Sequence, residues 1–208
     1  MKILFLSTFF SLLSLFGFAQ YGLTGQYISG NSVYGDIPLI DGASTTTSAG
    51  YLVGFNYWLR LKNTRIEFFP EVNFSEVNPT SILGFQPDFQ LRRWGLTLPA
   101  SFYLFDFKGD CDCPTFSKQN DLFKKGFFLQ LLISGQLERS QTDLAKSTQQ
   151  NLGAGGGIGL DIGISDFLTL TPIFQYVNHF VSTKEDQNWG STDEFRAGIR
   201  LIFRPDYR

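Results

Sequence analysis

Between Leu152 and Ile164 the chain reads LGAGGGIGLDIGI, and alternation alone sorts these residues into two sets. Leu152, Ala154, Gly156, Ile158, Leu160, Ile162 and Ile164 form one set; Gly153, Gly155, Gly157, Gly159, Asp161 and Gly163 form the other. A period of two is the mark of a β-strand, because successive side chains point to opposite faces. One face here is aliphatic, and the other is bare backbone plus one carboxylate. A soluble sheet would lay the aliphatic face on a core, whereas a membrane barrel turns it to lipid.

Seven further segments alternate in the same way. The first, about 21–29, sets Tyr21, Leu23 and Tyr27 against Thr24 and Gln26. The second, about 49–61, sets Tyr51, Val53, Phe55, Tyr57, Leu59 and Leu61 against Leu52, Gly54, Asn56, Trp58 and Arg60. In the third, about 65–75, Ile66, Phe68, Val72 and Phe74 oppose Arg65, Glu67, Phe69, Glu71 and Asn73. The fourth, about 89–107, carries Trp94, Leu96, Leu98, Ala100, Phe102 and Leu104 on its apolar side. The fifth, about 126–138, sets Phe127, Leu129, Leu131 and Ile133 against Phe128, Gln130, Leu132, Ser134 and Gln136. The seventh sets Leu168, Leu170, Phe174 and Tyr176 against Thr169, Thr171, Ile173 and Gln175. The last has Phe195, Ala197, Ile199, Leu201 and Phe203 on one side and Arg196, Gly198, Arg200, Ile202 and Arg204 on the other. No segment after residue 20 shows helical periodicity. Polar stretches at 30–47, 76–87, 108–124, 139–150 and 183–192 read as loops, and 62–64 and 165–166 as tight turns.

The charged faces decide between core and lipid. Two glutamates and an arginine on the third strand, and three arginines on the last, are costly against a dry core. In a hydrated lumen they pair across the ring. The pattern therefore predicts an eight-stranded antiparallel up-and-down transmembrane β-barrel, with Ile158, Leu160, Ile199 and Leu201 toward lipid. It also predicts a lumen charge network in which Glu67 and Glu71 meet Arg196 and Arg200, extended by Arg60, Arg65 and Asp161. Pro70, Pro99 and Pro172 fall inside these strands. Each removes a ladder hydrogen bond and marks an expected bulge or break.

Composition adds two constraints. Among 208 residues there are 23 Phe, 8 Tyr, 3 Trp and 21 Gly, with a net charge of -2, so electrostatics offer no case for nucleic-acid binding. Residues 3–19 form an apolar run behind Lys2, with Gly17 and Ala19 placed for cleavage before Gln20. That is the layout of a secretory signal peptide over 1–19, leaving one barrel domain over 20–208. No cysteine stands beside the cleavage site, so a lipid-anchored lipoprotein is not expected.

Few residues invite chemistry. GxGxxG does not occur in GAGGGIG and no helix follows it, so the glycines are read as room in the lumen for Trp58, Phe128 or the arginines. No cofactor and no metal site are expected. Cys111 and Cys113 form an isolated C-x-C. A disulfide, free thiols and, with two further ligands, a metal all stay open.

The whole mature chain resembles the small outer-membrane β-barrels of Gram-negative bacteria, in particular the PorT-like and OmpX-like families. The last strand, RAGIRLIF, is similar to the signal read by the barrel-assembly machinery, with Arg196, Gly198, Leu201 and Phe203 at its positions. It departs by continuing into RPDYR. The segment LTLPASFYLF, with Pro99, also looks like a family strand. The resemblance implies export to the outer membrane, both mature termini on the periplasmic side, and loops 30–47, 76–87, 139–150 and 183–192 outside. The connections at 62–64, 108–124 and 165–166 then face inward. It further implies a monomeric barrel whose partners are outer-membrane lipids and lipopolysaccharide, the assembly machinery during biogenesis, and a protein that the sequence does not name.

The leading functional expectation is a structural or interaction barrel without catalysis, an accessory to secretion or envelope organisation as the PorT resemblance implies. The alternative is a lipid A deacylase, because such enzymes resemble this fold and use a His, a nearby Ser and an acid. His179, Ser182 and Glu185 supply those types, but Ser182 lies three residues on, where the deacylase pattern has two. On a regular strand that spacing puts the two side chains on opposite faces, so His179 is read as structural. A soluble calyx for an apolar ligand would need an apolar interior, which these inner faces do not provide.

Overall fold

The computed structural model describes residues 20–33, 45–61, 64–79, 90–106, 122–141, 146–165, 167–182 and 189–204. The expected signal peptide and the Cys111–Cys113 pair lie outside the described residues. The strands are β1 (Tyr21–Val33), β2 (Thr45–Tyr57), β3 (Leu59–Arg60), β4 (Ile66–Phe68), β5 (Glu71–Pro79) and β6 (Gln90–Phe102). After one short helix, α1 (Leu122–Gly126), come β7 (Phe127–Gln141), β8 (Lys146–Leu160), β9 (Ile162–Gly163), β10 (Leu168–Ser182) and β11 (Trp189–Phe203).

Every pairing is antiparallel and joins neighbours around the ring. The path runs β6–β5–β2–β1–β11–β10–β8–β7, and β6 pairs β7 to close it. The short β3, β4 and β9 continue β2, β5 and β8 beyond local breaks, so the molecule is a closed, eight-stranded, up-and-down barrel. Closure satisfies the backbone groups that an open edge would leave bare in hydrocarbon.

The prolines explain two of the breaks. Glu71 pairs Thr97 and Phe68 pairs Ala100 in one register, so Phe69 and Pro70 stand opposite Pro99 and Leu98. Pairing lapses there, and the Phe69 amide donates to the Pro99 carbonyl at 3.0 Å. Likewise Ile173 pairs Gly159 and Leu170 pairs Ile162, leaving Pro172 opposite Leu160 where β8 gives way to β9. On its other side the Asp161 amide donates to the carbonyl of Gly126, its partner in the continuing register with β7, at 2.9 Å. A proline has no N–H to offer the ladder, so the carbonyl opposite it loses its donor while the remaining in-register bonds hold the strands together.

The faces are inverted relative to a soluble protein. Leu96 is 66% exposed, Leu131 62% and Ile133 61%, while Arg196 is 1% and Arg200 2% exposed. On β7 the outward apolar row runs from Phe127 to Leu137 and stops at Arg139. At ~3.4 Å per residue and a tilt of ~40° that row stands ~26 Å tall, close to the ~25 Å apolar band of a membrane barrel. Aromatic contacts flank it. Tyr21 meets Phe55 and Phe203 at the end carrying Gln20 and Arg204, and Phe123 of α1 stacks on Phe127. At the opposite, distal end Phe74 meets Trp94, and Tyr176 meets Phe195.

Several boundaries differ from those read from sequence. Strand pairing reaches Val33, Thr45, Pro79, Gln141, Lys146 and Trp189, all inside segments expected to be loops. Above the apolar band the ladder continues with polar residues outward, so hydropathy cannot mark where pairing ends. In the other direction, β6 stops at Phe102, and 122–126 is a helical turn where none was expected.

Candidate functional site in the barrel lumen

Glu67, on β4, is the hub of a cluster at the terminal end of the lumen. Its Oε2 accepts from Trp58 Nε1 at 2.7 Å and lies 3.1 Å from the Tyr103 hydroxyl and 3.9 Å from Arg204 Nη2. Its Oε1 lies 3.7 Å from Arg65 Nε. Arg65 also pairs with Asp106 and stacks over the Tyr103 ring, 4.0 Å from its centroid. The Tyr103 hydroxyl sits 2.5 Å from Asp161 Oδ2, and Asp161 Oδ1 accepts from Thr171 at 2.5 Å. Arg60 is half-buried directly opposite Glu67 across the β3–β4 ladder.

Above this cluster the lumen is crossed by amides. Gln26 Nε2 donates to Gln175 at 3.0 Å, Gln175 Nε2 to Gln130 at 2.5 Å, and Gln130 Nε2 to Ser101 at 3.0 Å. The chain links β1, β10, β7 and β6 across the lumen. Beside it, Arg200 lies 3.5 Å from the Phe69 ring centroid and 5.6 Å from that of Phe128. Cation–π contact of this kind holds a guanidinium whose water has been stripped away. The glycine-rich β8 makes the room: a Cβ on Gly159 would meet Phe128 Cζ at 2.2 Å, and one on Gly153 would meet His179 Nδ1 at 2.5 Å.

A second ionic cluster occupies the distal half. Arg93 bridges Glu138, at 2.6 Å, and Glu194, at 2.8 Å. Arg196 Nε donates to the other oxygen of Glu194 at 2.5 Å, and Arg196 Nη2 lies 3.3 Å from His179 Nε2. His179 Nε2 also lies 3.7 Å from Glu194 Oε2, so the imidazole joins the same cluster. Ile28, Leu52, Val77 and Leu91 form an apolar cluster inside the same half.

All seven residues of the expected network line the lumen or its margin, but their pairing differs from the expected one. Glu71 accepts from Thr24 at 2.7 Å and from Asn73 at 3.1 Å, and the expected Glu71–Arg200 bridge is replaced by neutral donors on one side and aromatic faces on the other. Arg196 meets Glu194, not Glu67, because the two lie two residues apart on the same face of β11. Arg93, Glu138, Glu194 and Tyr103 were not singled out from sequence, yet parity shows them: Arg93 alternates with Trp94, and Glu194 shares the face of Arg196. Among the described residues, buried Arg65, Arg93, Arg196, Arg200 and Arg204 are equalled in number by Glu67, Glu71, Glu138, Glu194 and Asp161, and half-buried Arg60 by Asp106. Such a lumen neutralises itself and is filled by side chains. His179 is part of that packing, 2% exposed and directed inward, away from any lipid approaching the outer wall. Glu185 lies outside the described residues.

Gly198 faces inward between Gln26 of β1 and Ile173 of β10. A Cβ there would meet the Gly25 carbonyl oxygen at 2.1 Å, so only glycine permits this approach of first and last strands. Leu201 and Phe203 face outward.

Scanned against protein-family models the chain matches none, and a search of curated proteins gives no match. Among solved structures it is similar to Neisserial surface protein A, with 11% identity, 89% of this chain and 96% of that chain covered, and a TM-score of 0.52. The attachment invasion locus protein Ail of Yersinia pestis also aligns, in a crystal structure with the heparin analogue sucrose octasulfate, at 12% identity over 88% of this chain and 98% of that one, with a TM-score of 0.42. At such identity the likeness to the Neisserial protein is one of fold, and the fold it shares with this chain is the closed antiparallel barrel.

Proposed function

We propose that this chain is an outer-membrane β-barrel with a structural or interaction role and no catalysis. The observation that carries the reading is the inverted surface: an exposed apolar band around a lumen whose opposite charges balance in number. A barrel filled in this way does not serve as a general pore, so activity falls to the segments beyond the wall and to the proteins or lipids they meet. Its export through a cleaved signal peptide over 1–19 belongs to the same proposal, as does recognition of Arg196, Gly198, Leu201 and Phe203 by the barrel-assembly machinery. The finer role, an accessory to secretion or envelope organisation, rests on the PorT resemblance alone. Fractionation tests the reading: the mature chain is expected in the outer membrane as a heat-modifiable species, and in planar bilayers it shows no stable conductance. Recovery from the soluble periplasm, or steady open-channel current, overturns it.

A further inference from the structure

Arg92 and Arg139 are direct register partners on β6 and β7, and both side chains face outward and are exposed. Direct partners on one face have Cβ atoms only ~4.5–5.5 Å apart, and like charges so placed repel. Glu76, the partner of Arg92 on β5, lies 3.5 Å from Arg92 Nε, while the partner of Arg139 on β8 is Thr148. The pair also has a defined depth. One step toward the membrane centre, Trp94 pairs Leu137, and then Leu96 pairs Gly135. Trp94 is 55% and Leu137 48% exposed, so the arginines sit where the apolar band ends and head groups begin.

From this placement we propose that Arg92 and Arg139 clamp a phosphate of the phosphorylated glycolipid of the outer leaflet, with its acyl chains running over Trp94, Leu96 and Leu137. The proposal rests on the outer-membrane reading above. Two adjacent guanidiniums present a fork of donors suited to phosphate oxygens, and charge-assisted bonds of this kind are the strong ones. Glu76 then tunes the site by competing for Arg92.

The test uses the full mature chain in detergent micelles, with native mass spectrometry reading bound lipid across a titration. The probes are diphosphoryl lipid A, its dephosphorylated form, phosphatidylglycerol and inorganic phosphate. Arg92→Gln and Arg139→Gln are each expected to weaken diphosphoryl lipid A about fivefold, and the double variant roughly twenty-five-fold. Dephosphorylated lipid A should bind the wild-type chain as weakly as diphosphoryl lipid A binds the double variant. Glu76→Gln should tighten binding, a gain that a folding defect does not produce. Equal affinity of wild type and double variant, no gain in Glu76→Gln, or equal retention of the dephosphorylated lipid overturns the proposal. Phosphatidylglycerol or inorganic phosphate binding as tightly as diphosphoryl lipid A also overturns it, by showing a general anion site. Fractionation separately reports on the outer-membrane reading, so a failure of either claim is recognisable.

Discussion

Gly159 lies beneath the ring of Phe128, its register partner across β7 and β8, and a methyl group on Gly159 would approach Phe128 Cζ to 2.2 Å. The ring cannot simply swing aside. It is fully buried, its centroid 5.4 Å from that of Tyr103 and 5.6 Å from the Arg200 guanidinium. Gly159→Ala is therefore expected to destabilise the barrel by about 1–3 kcal/mol, the usual range for overpacking. Urea unfolding in lipid vesicles measures the loss, and Phe128→Leu in the same chain should return part of it. Additive losses would show that the two residues do not compete for space.

Glu194 and Glu71 are both lumen carboxylates, but their partners differ. Removing Glu194 takes the carboxylate from buried Arg196 and one of two carboxylates from Arg93. Glu194→Ala should then cost about 3–5 kcal/mol. Glu71 accepts from a hydroxyl and an amide, so Glu71→Ala is expected near 1–3 kcal/mol. Unfolding curves for the two variants in the same vesicles give the order, and the reverse order would contradict the pairing.

A double-mutant cycle separates paired charges from neighbours. Arg93→Ala with Glu194→Ala should show a coupling in the ~0.5–3 kcal/mol range found for residues in one network. Arg200→Ala with Glu71→Ala should be close to additive, since aromatic faces hold Arg200. Strong coupling in the second cycle would restore the direct bridge expected from sequence.

The outer wall gives a contrast between adjacent residues. Leu131 is 62% exposed on the lipid side and Leu132 3% exposed in the lumen. Leu131→Arg near the middle of the band should cost about 2–4 kcal/mol in a bilayer. Leu131→Phe should be close to neutral there, while Leu132→Phe is overpacked. Refolding yields into vesicles, read by the heat-modifiable gel shift, test both orientations at once.

Strand faces were legible from residue order because alternation is a property of the extended backbone itself: whichever partners Arg196, Arg200 and Arg204 find, they share a side opposite Ile199 and Leu201. The same parity, with charges on one side and leucines on the other, decided barrel over soluble sheet before any contact was known. What residue order could not decide was reach. Glu71 and Arg200 share the lumen, but whether they touch depends on how the strands stagger around the ring, and that stagger brings Thr24 to Glu71, whose other partner, Asn73, stands two residues along the same face of β5. The ends of β5, β7 and β8 were equally hidden, because backbone pairing continues past the apolar band where side chains no longer report it. The break at Asp161 was hidden in the same way: it depends on Pro172, a strand away, having no N–H to offer. Alternation is local and survives in sequence, whereas register, stagger and cross-lumen contact arise only when the ring closes.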